Sequence, residues 1–134
     1  MFRFIFAYAG AAFGMLALDV IWLTSMAESF YRPQLGVLLA DDFRPAPAIA
    51  FYALYLFGVV YFACAPALQN GDWRKATLNG AVFGLVAYAT YDLTNQATLN
   101  HWPVLVTIVD LCWGVFLTAT AASAGYAAAR RFAG

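Results

Sequence analysis

Three aspartates lie within long apolar stretches of the sequence, and their position suggests chemistry. Asp19, Asp92 and Asp110 each interrupt a hydrophobic run long enough to cross a membrane. An ionised aspartate at the centre of a membrane helix costs about 2.5–3.5 kcal/mol on insertion scales, so such residues usually serve a function. In a dry interior the three carboxylates must share protons, bind a cation or pair with an arginine.

The composition indicates a membrane protein. Hydrophobic residues make up 64% of the 134 residues and charged residues only 10%, whereas soluble domains average about 25% charged residues. The formal net charge is zero, so no basic surface for nucleic acid is expected. We expect a single transmembrane domain over residues 1–134, with the first apolar run kept as an uncleaved span.

Four segments of about 20 mostly apolar residues have the length that a spanning helix needs. These predicted spans are residues 4–26, 47–68, 76–98 and 103–129. Because the last two connections are short, neighbouring spans must run antiparallel. The sequence therefore predicts an all-α integral membrane fold, namely a four-transmembrane-helix up-down bundle.

The first connection, residues 27–46, is longer than the usual connection of about 2–8 residues between bundle helices. It is also apolar, with Phe30, Tyr31 and Leu35 among its residues. We expect an interfacial loop on the outer membrane surface, with a short helix that Pro33 begins. A lid over a site and a plain interfacial anchor both fit this composition.

Basic residues are distributed unevenly between the two sides of this bundle. One side holds Arg3, Arg74, Lys75, Arg130 and Arg131. The other side holds only Arg32 and Arg44, near Glu28, Asp41 and Asp42. Since basic residues favour the cytoplasmic side, we expect an N-in/C-in topology, with both termini in the cytoplasm of a multi-pass inner-membrane protein.

This topology places the three aspartates at one depth. Each lies six or seven residues from the outer end of its span, or about 9–11 Å below that end at 1.5 Å per residue. We expect Asp19, Asp92 and Asp110 to converge on one pocket open toward the outer surface. At least one of them should be protonated or cation-bound at neutral pH.

The three aspartates are the candidate catalytic residues and, as oxygen donors, the candidate ligands of a divalent cation such as Mg²⁺, Ca²⁺ or Mn²⁺. Other side chains that share their helix faces or lie in the outer turns are candidate ligand-binding residues. These are Asn95, Tyr88, Tyr91, Trp22, Trp113, Arg32 and His101. Arg32 would reach an aspartate, and His101 would add a nitrogen ligand or carry a proton.

A structural interpretation of the same residues stays open. Aspartates near helix ends can hold neighbouring helices together by hydrogen bonds, and tryptophans can lie in the interfacial belt. The pairs Gly10/Gly14 and Gly80/Gly84 have G-x-x-x-G spacing. They predict close contact between the first and third spans, or a homodimer face.

Several motifs together resemble one family. They are LALDVIWL and FYRPQLG in the first half, and YDLTN, WP and VD-x-x-WG in the second. The chain resembles the small bacterial membrane proteins called domain of unknown function 2177, over nearly its whole length. The resemblance implies the membrane topology and assigns no catalytic residue. The matching positions are Asp19, Trp22, Tyr31, Arg32, Leu35, Gly36, Tyr91, Asp92, Thr94, Asn95, Trp102, Pro103, Asp110, Trp113 and Gly114.

The leading functional prediction is an acidic, aromatic-walled pocket in the outer leaflet that binds a lipid-like or apolar molecule. A proton- or cation-assisted enzyme that modifies membrane lipids would be one form of it, and no known enzyme motif is present to decide. The alternatives are a small proton- or cation-coupled transporter or channel subunit, and a structural accessory subunit. Expected partners are membrane lipid and either a second copy or another membrane protein, with no nucleic acid.

Overall fold

The computed structural model describes residues 2–40 and 44–134, and every regular element in these two ranges is helical. Met1 and residues 41–43 lie outside the described residues, so the part of the predicted outer loop that contains Asp41 and Asp42 is not described. The elements are α1 (Phe2–Met26), a π-helical segment (Ala27–Tyr31), α2 (Arg32–Leu35), a 3-10 turn (Gly36–Leu38), α3 (Pro45–Val59), a second π-helical segment (Val60–Cys64), α4 (Ala65–Asn70), α5 (Trp73–Thr98) and α6 (Val104–Ala133).

Three helical stretches are long and apolar enough to cross a membrane: Phe2–Leu38, Pro45–Asn70 and Val104–Ala133. They cover the first, second and fourth predicted spans. The third predicted span lies in α5, whose 26 residues would extend about 39 Å. Polar residues such as Asn79 and Asp92 interrupt its apolar middle, and α5 is therefore less hydrophobic than the other three.

Both π-helical segments end two residues before a proline, Pro33 or Pro66. A proline lacks the N–H group and its ring crowds the carbonyl four residues earlier, and a local π-helical widening is one way in which a helix accommodates this. At Pro66 the crowded carbonyl belongs to Phe62, and the Asn79 side chain of α5 donates a hydrogen bond to it (3.2 Å). The first segment matters for the site because it ends at Tyr31.

Helix α6 lies at the centre of the bundle, packed against α1 on one side and α5 on the other. A Cβ atom added to Gly10 of α1 would lie 2.8 Å from the carbonyl oxygen of Ala124. One added to Gly80 of α5 would lie 2.8 Å from that of Thr118. The predicted contact between the first and third spans is therefore wrong, because small residues of α6 admit a helix on each side.

A tight turn at Gly71 and Asp72 joins α4 to α5. Gly71 has a left-handed backbone (φ 65°), which glycine adopts without strain. The Asp72 carboxylate caps α5 by accepting a hydrogen bond from the Arg74 backbone N–H (3.0 Å). The Arg3 side chain donates to the Leu68 carbonyl at the same end of the bundle (2.8 Å).

The chain after α1 folds back onto the opposite end of the bundle. Leu35 of α2 packs with Trp102 and Val106, and the partly buried Phe30 and Tyr31 join this cluster. Trp102 precedes α6, and Val106 lies in its first turn. The contact fixes the segment over the end of α6 and so places Tyr31 near the polar interior.

Candidate functional site

Asp19 continues the buried face of α1. Ala11, Met15 and Asp19 are all buried, and their four-residue spacing puts them on one side of the helix. The Tyr52 hydroxyl donates a hydrogen bond to Asp19 Oδ2 (2.6 Å), and the Trp113 indole N–H donates to Oδ1 (3.3 Å). Both carboxylate oxygens thus accept from a fixed aromatic donor.

Asp110 is held in the same manner from the other side. Its Oδ1 accepts a hydrogen bond from the Tyr31 hydroxyl. The Trp22 indole N–H in turn donates to the Tyr31 oxygen (3.1 Å). Tyr31 reaches this position because the π-helical segment and the docked α2 turn the chain back toward α6.

Asp92 is the most deeply buried of the three carboxylates, with no exposed surface. It shares the buried face of α5 with Gly80 and Gly84 and lies beside the Asp110 carboxyl at the α5–α6 interface. Within the described part of the chain, no hydroxyl or N–H group donates to either of its oxygens, and its polar neighbour is the Asp110 carboxyl. Two buried carboxyls in contact repel each other when both are ionised.

Two stacked indoles join the Asp19 and Asp110 clusters. The rings of Trp22 and Trp113 lie nearly parallel, at 10°, with their centroids 4.1 Å apart. Trp113 donates to Asp19, and Trp22 donates to the tyrosine that binds Asp110. A continuous set of contacts therefore links the two carboxylates through aromatic side chains.

A cavity of about 330 Å³ opens between these groups. Asp19 and Asp110 supply its carboxylates, and Ala27, Arg32 and Leu39 are also among its lining residues. Its aromatic lining consists of Trp22, Tyr31, Tyr52, Tyr88 and Trp113. A second cavity of about 340 Å³ shares Tyr88 and Asp110 with the first and extends to Phe51, Ala87 and Tyr91.

The structure brings most of the predicted site residues to these two cavities. Asp19, Asp110, Trp22, Trp113, Tyr88 and Arg32 line the first, and Tyr91 lines the second. Asp92 adjoins Asp110 without lining either cavity. Asn95 is half-buried and His101 is exposed in the turn before α6. Neither Asn95 nor His101 lines these two cavities.

Two expectations for this region need correction. Arg32 pairs with Glu28, one helical turn earlier, through Nε and Oε1 at 3.1 Å, and not with any of the three aspartates. Its side chain is 51% exposed, and the buried carboxylates take hydroxyl and indole donors instead.

The expected cation site of Asp19, Asp92 and Asp110 is not formed either. In residues 2–40 and 44–134, no group of three or more His, Cys, Asp or Glu side chains could hold a metal ion. Asp19 is bonded to Tyr52 and Trp113, whereas Asp92 lies with Asp110. The three carboxylates therefore do not converge on one point.

The sequence interpretation missed Tyr52, although a signal for it was present. Tyr52 lies seven residues after Pro45, which begins α3, and is therefore about 10 Å from the helix end. That is the depth already assigned to the three aspartates. The same calculation of depth, applied to hydroxyl-bearing residues as well as to aspartates, would have placed Tyr52 at the level of Asp19.

One family model matches the chain over residues 4–127, and its description is Predicted membrane protein (DUF2177). No curated protein and no solved structure shows a significant match. The family match covers most of the helical chain, and its description agrees with the three stretches that are long and apolar enough to cross a membrane. It gives no residue a role, so any functional argument must start from the geometry.

Proposed function

Since the chain belongs to the DUF2177 family of predicted membrane proteins, we propose that it is a four-span protein of the cell inner membrane. Helix α5 is the third span in this proposal. It turns Asp92 and its small residues toward α6, while Leu78, Val82 and Val86 are exposed on its outer side. Such an arrangement suits a helix whose polar groups face the bundle and whose apolar groups face lipid.

The orientation that we propose has both termini in the cytoplasm. Arg3 contacts the Leu68 carbonyl, and Phe6 stacks on Phe132 with centroids 5.8 Å apart, so the two chain ends lie at one end of the bundle. Arg74, Lys75, Arg130 and Arg131 belong to the same end. The positive-inside tendency then puts this end in the cytoplasm and the cavity in the outer leaflet.

The function that we propose is binding of a lipid-like or apolar molecule in the cavity at Asp19 and Asp110. The observation that carries it is the combination of two held carboxylates with an aromatic wall around open space. Ligand sites in proteins have volumes of about 300–1,000 Å³, with mostly apolar walls and a few placed polar groups. The first cavity, at about 330 Å³, fits the lower end of that range.

The open space also distinguishes this proposal from a purely structural role. Carboxylates that only hold helices together need no cavity, because protein interiors are close-packed. Here the hydroxyls of Tyr52 and Tyr31 and the indole of Trp113 hold the carboxylates at the wall of the cavity. Holding polar groups in place before a ligand arrives lowers the cost of binding it.

The interior beyond the cavity favours a binding site closed at one end over a transport path. Toward the terminal end the core contains Met15, Val59, Leu117 and Ala121, all without exposed surface. Among the described residues this core has a buried hydrogen bond between Tyr55 and Thr118 but no continuous polar route across the membrane. A transporter would need further subunits to form such a route.

A photoreactive lipid analogue with a diazirine in its acyl chain tests this proposal. After irradiation of the protein in nanodiscs, we expect the label on peptides that contain Trp22 or Trp113, and we expect unlabelled lipid to compete with it. Ala27→Phe narrows the cavity and should reduce this labelling about fivefold or more, on the scale of lost apolar contact. Ala50→Phe, on an exposed side of α3, is the matched control and should leave it unchanged. Labelling spread evenly over lipid-facing peptides, and insensitive to Ala27→Phe, would refute the proposal.

A further inference from the structure

The cavity has an excess of acid in its interior. Asp19 and Asp110 lie on its wall, and Asp92 lies behind Asp110. Among its lining residues Arg32 is the single basic one, and that side chain is half exposed and already pairs with Glu28. Ionised carboxylates in a nonpolar interior are costly unless a positive group lies near them.

Asp92 adds to the acid behind the cavity wall. Its carboxyl is completely buried and lies against the Asp110 carboxyl, and no hydroxyl or N–H group among the described residues donates to it. A cation bound at Asp110 would reduce the repulsion between these two carboxyls. Within residues 2–40 and 44–134, no lysine or arginine makes an ion pair with either of them.

The wall of the cavity selects the kind of cation. Five aromatic rings line it, and the faces of tryptophan and tyrosine attract ammonium groups. A metal ion is usually held by several carboxylate or imidazole ligands, and residues 2–40 and 44–134 contain no group of three or more His, Cys, Asp or Glu side chains that could hold one. An alkylammonium group can use the carboxylates and the aromatic faces together.

We propose that the cavity binds an organic cation, with an alkylammonium group beside Asp19 and Asp110 and an apolar body. This inference rests on the proposed function, since it names the class of ligand for the same cavity. The ammonium group contacts the carboxylates, and the aromatic rings surround its alkyl substituents. The apolar body explains why such a molecule partitions into the membrane and reaches a cavity below the surface.

The test compares phenethyltrimethylammonium with its neutral isostere, in which carbon replaces the charged nitrogen. Binding to the protein is measured by tryptophan fluorescence and calorimetry in nanodiscs of zwitterionic lipid, which have little surface charge. We expect the cation to bind about tenfold or more tightly than the isostere, because both carboxylates and aromatic faces favour the charge. This ratio of affinities is measured on the unmodified protein, so the test remains informative even if a substitution prevents folding.

Two variants then test whether the cation binds beside Asp110. Asp110→Asn should weaken cation binding about tenfold and leave binding of the isostere unchanged. Asp72→Asn is the control, because Asp72 lies in the turn before α5 and asparagine caps a helix as well as aspartate does. It should change neither affinity.

The outcomes separate this inference from the proposed function. Equal affinity for the cation and the isostere, or cation binding that Asp110→Asn leaves unchanged, would overturn the cation but leave a lipid-like ligand in place. If neither probe binds but the photoreactive lipid still labels the cavity, the organic-cation inference fails and the proposed function stands. If that labelling fails as well, the proposed function fails with it.

Discussion

The two ends of the bundle use the same helix faces for different purposes. At the terminal end, Ala11 of α1 and Gly80 of α5 bring both helices close to α6. Toward the other end the same faces continue to Asp19 and Asp92. The closely packed end fixes the spacing of the helices, so the polar end can keep an open cavity without losing its geometry.

The geometry of the site depends on helix packing at the opposite end of the bundle. Small residues allow backbones to approach where no hydrophobic effect between membrane helices drives association. Aromatic side chains separate the helices at the polar end, as in the Trp22–Trp113 stack between α1 and α6. A substitution at the closely packed end should therefore destabilise the whole bundle. A substitution at the polar end should have a smaller effect, which depends on the hydrogen bonds that it removes.

The largest expected effect is a difference in cysteine labelling between the two ends of the bundle. In intact cells one end should react with an impermeant reagent and the other should not. In a Cys112→Ala background, Asn100→Cys should react with a membrane-impermeant maleimide in intact cells, because the turn before α6 lies outside in the proposed topology. Asp72→Cys should react only after the cells are opened. The reverse pattern would invert the orientation, and reaction of both in intact cells would rule out the four-span topology.

Disrupting the closely packed end should cause the largest loss of stability. A Cβ atom at Gly84 would contact the Gly114 carbonyl, and it would lie 2.7 Å from Thr118 Oγ1. Gly84→Leu should therefore cost about 3 kcal/mol or more, since overpacking a fitted interface costs about 1–3 kcal/mol even for smaller changes. Thermal unfolding in detergent measures this loss.

The matched control for that substitution is Val82→Leu, at a position on α5 that is 52% exposed. It should unfold within a degree or two of the parent, because the side chain faces the surrounding medium. If both variants lose stability equally, α5 does not pack against α6 through its glycine face.

At the polar end, two aspartate-to-asparagine substitutions should differ. Both oxygens of Asp19 accept from donors, so an amide NH₂ in Asp19→Asn would oppose one of these donors. Neither oxygen of Asp92 accepts from a hydroxyl or N–H donor within the described residues, and an asparagine amide could donate to the neighbouring Asp110 carboxyl. Asp19→Asn should therefore cost about 1.5–3 kcal/mol, and Asp92→Asn less than about 1 kcal/mol. Equal costs in denaturant unfolding would contradict the distinction between a carboxyl that accepts from two aromatic donors and one that accepts from neither a hydroxyl nor an N–H group.

A smaller effect is expected from removing one donor. Tyr52→Phe deletes the hydroxyl that donates to Asp19 Oδ2 and leaves the indole of Trp113 in place. The expected cost is about 1.5 kcal/mol, near the lower limit for a hydrogen bond to a charged group. Tyr61→Phe is the control, because Tyr61 is 61% exposed and should unfold like the parent. If Tyr52→Phe is as stable as this control, the Tyr52 hydroxyl does not contribute to stability through Asp19.

Much of this arrangement could be predicted from the sequence, for physical reasons. Apolar runs of spanning length predicted the helices, and helical rise predicted that Asp19 and Asp110 share a depth. Which way each face points depends on packing between helices. For this reason the sequence did not show that Gly10 and Gly80 both meet α6, or that Asp92 lies behind Asp110.

The hydrogen-bond partners of the buried aspartates could not be predicted from the sequence either. Charge alone pointed to Arg32 as the partner of an aspartate. Arg32 pairs instead with Glu28, one turn earlier on the same helical stretch, and both side chains are exposed (51% and 79%). The hydroxyls of Tyr31 and Tyr52 took its place at the carboxylates. These hydroxyls contact the carboxylates without the cost of desolvating the Arg32 guanidinium group.

The most direct test of the central claim is a high-resolution experimental structure of the protein in lipid nanodiscs. We expect elongated density in the cavity, with one end beside Asp19 and Asp110 and its length against Tyr88 and Trp113. A cavity filled by the protein's own side chains would contradict the account. So would Asp19 and Asp110 facing lipid on separate sides of the bundle, too far apart to contact one ligand.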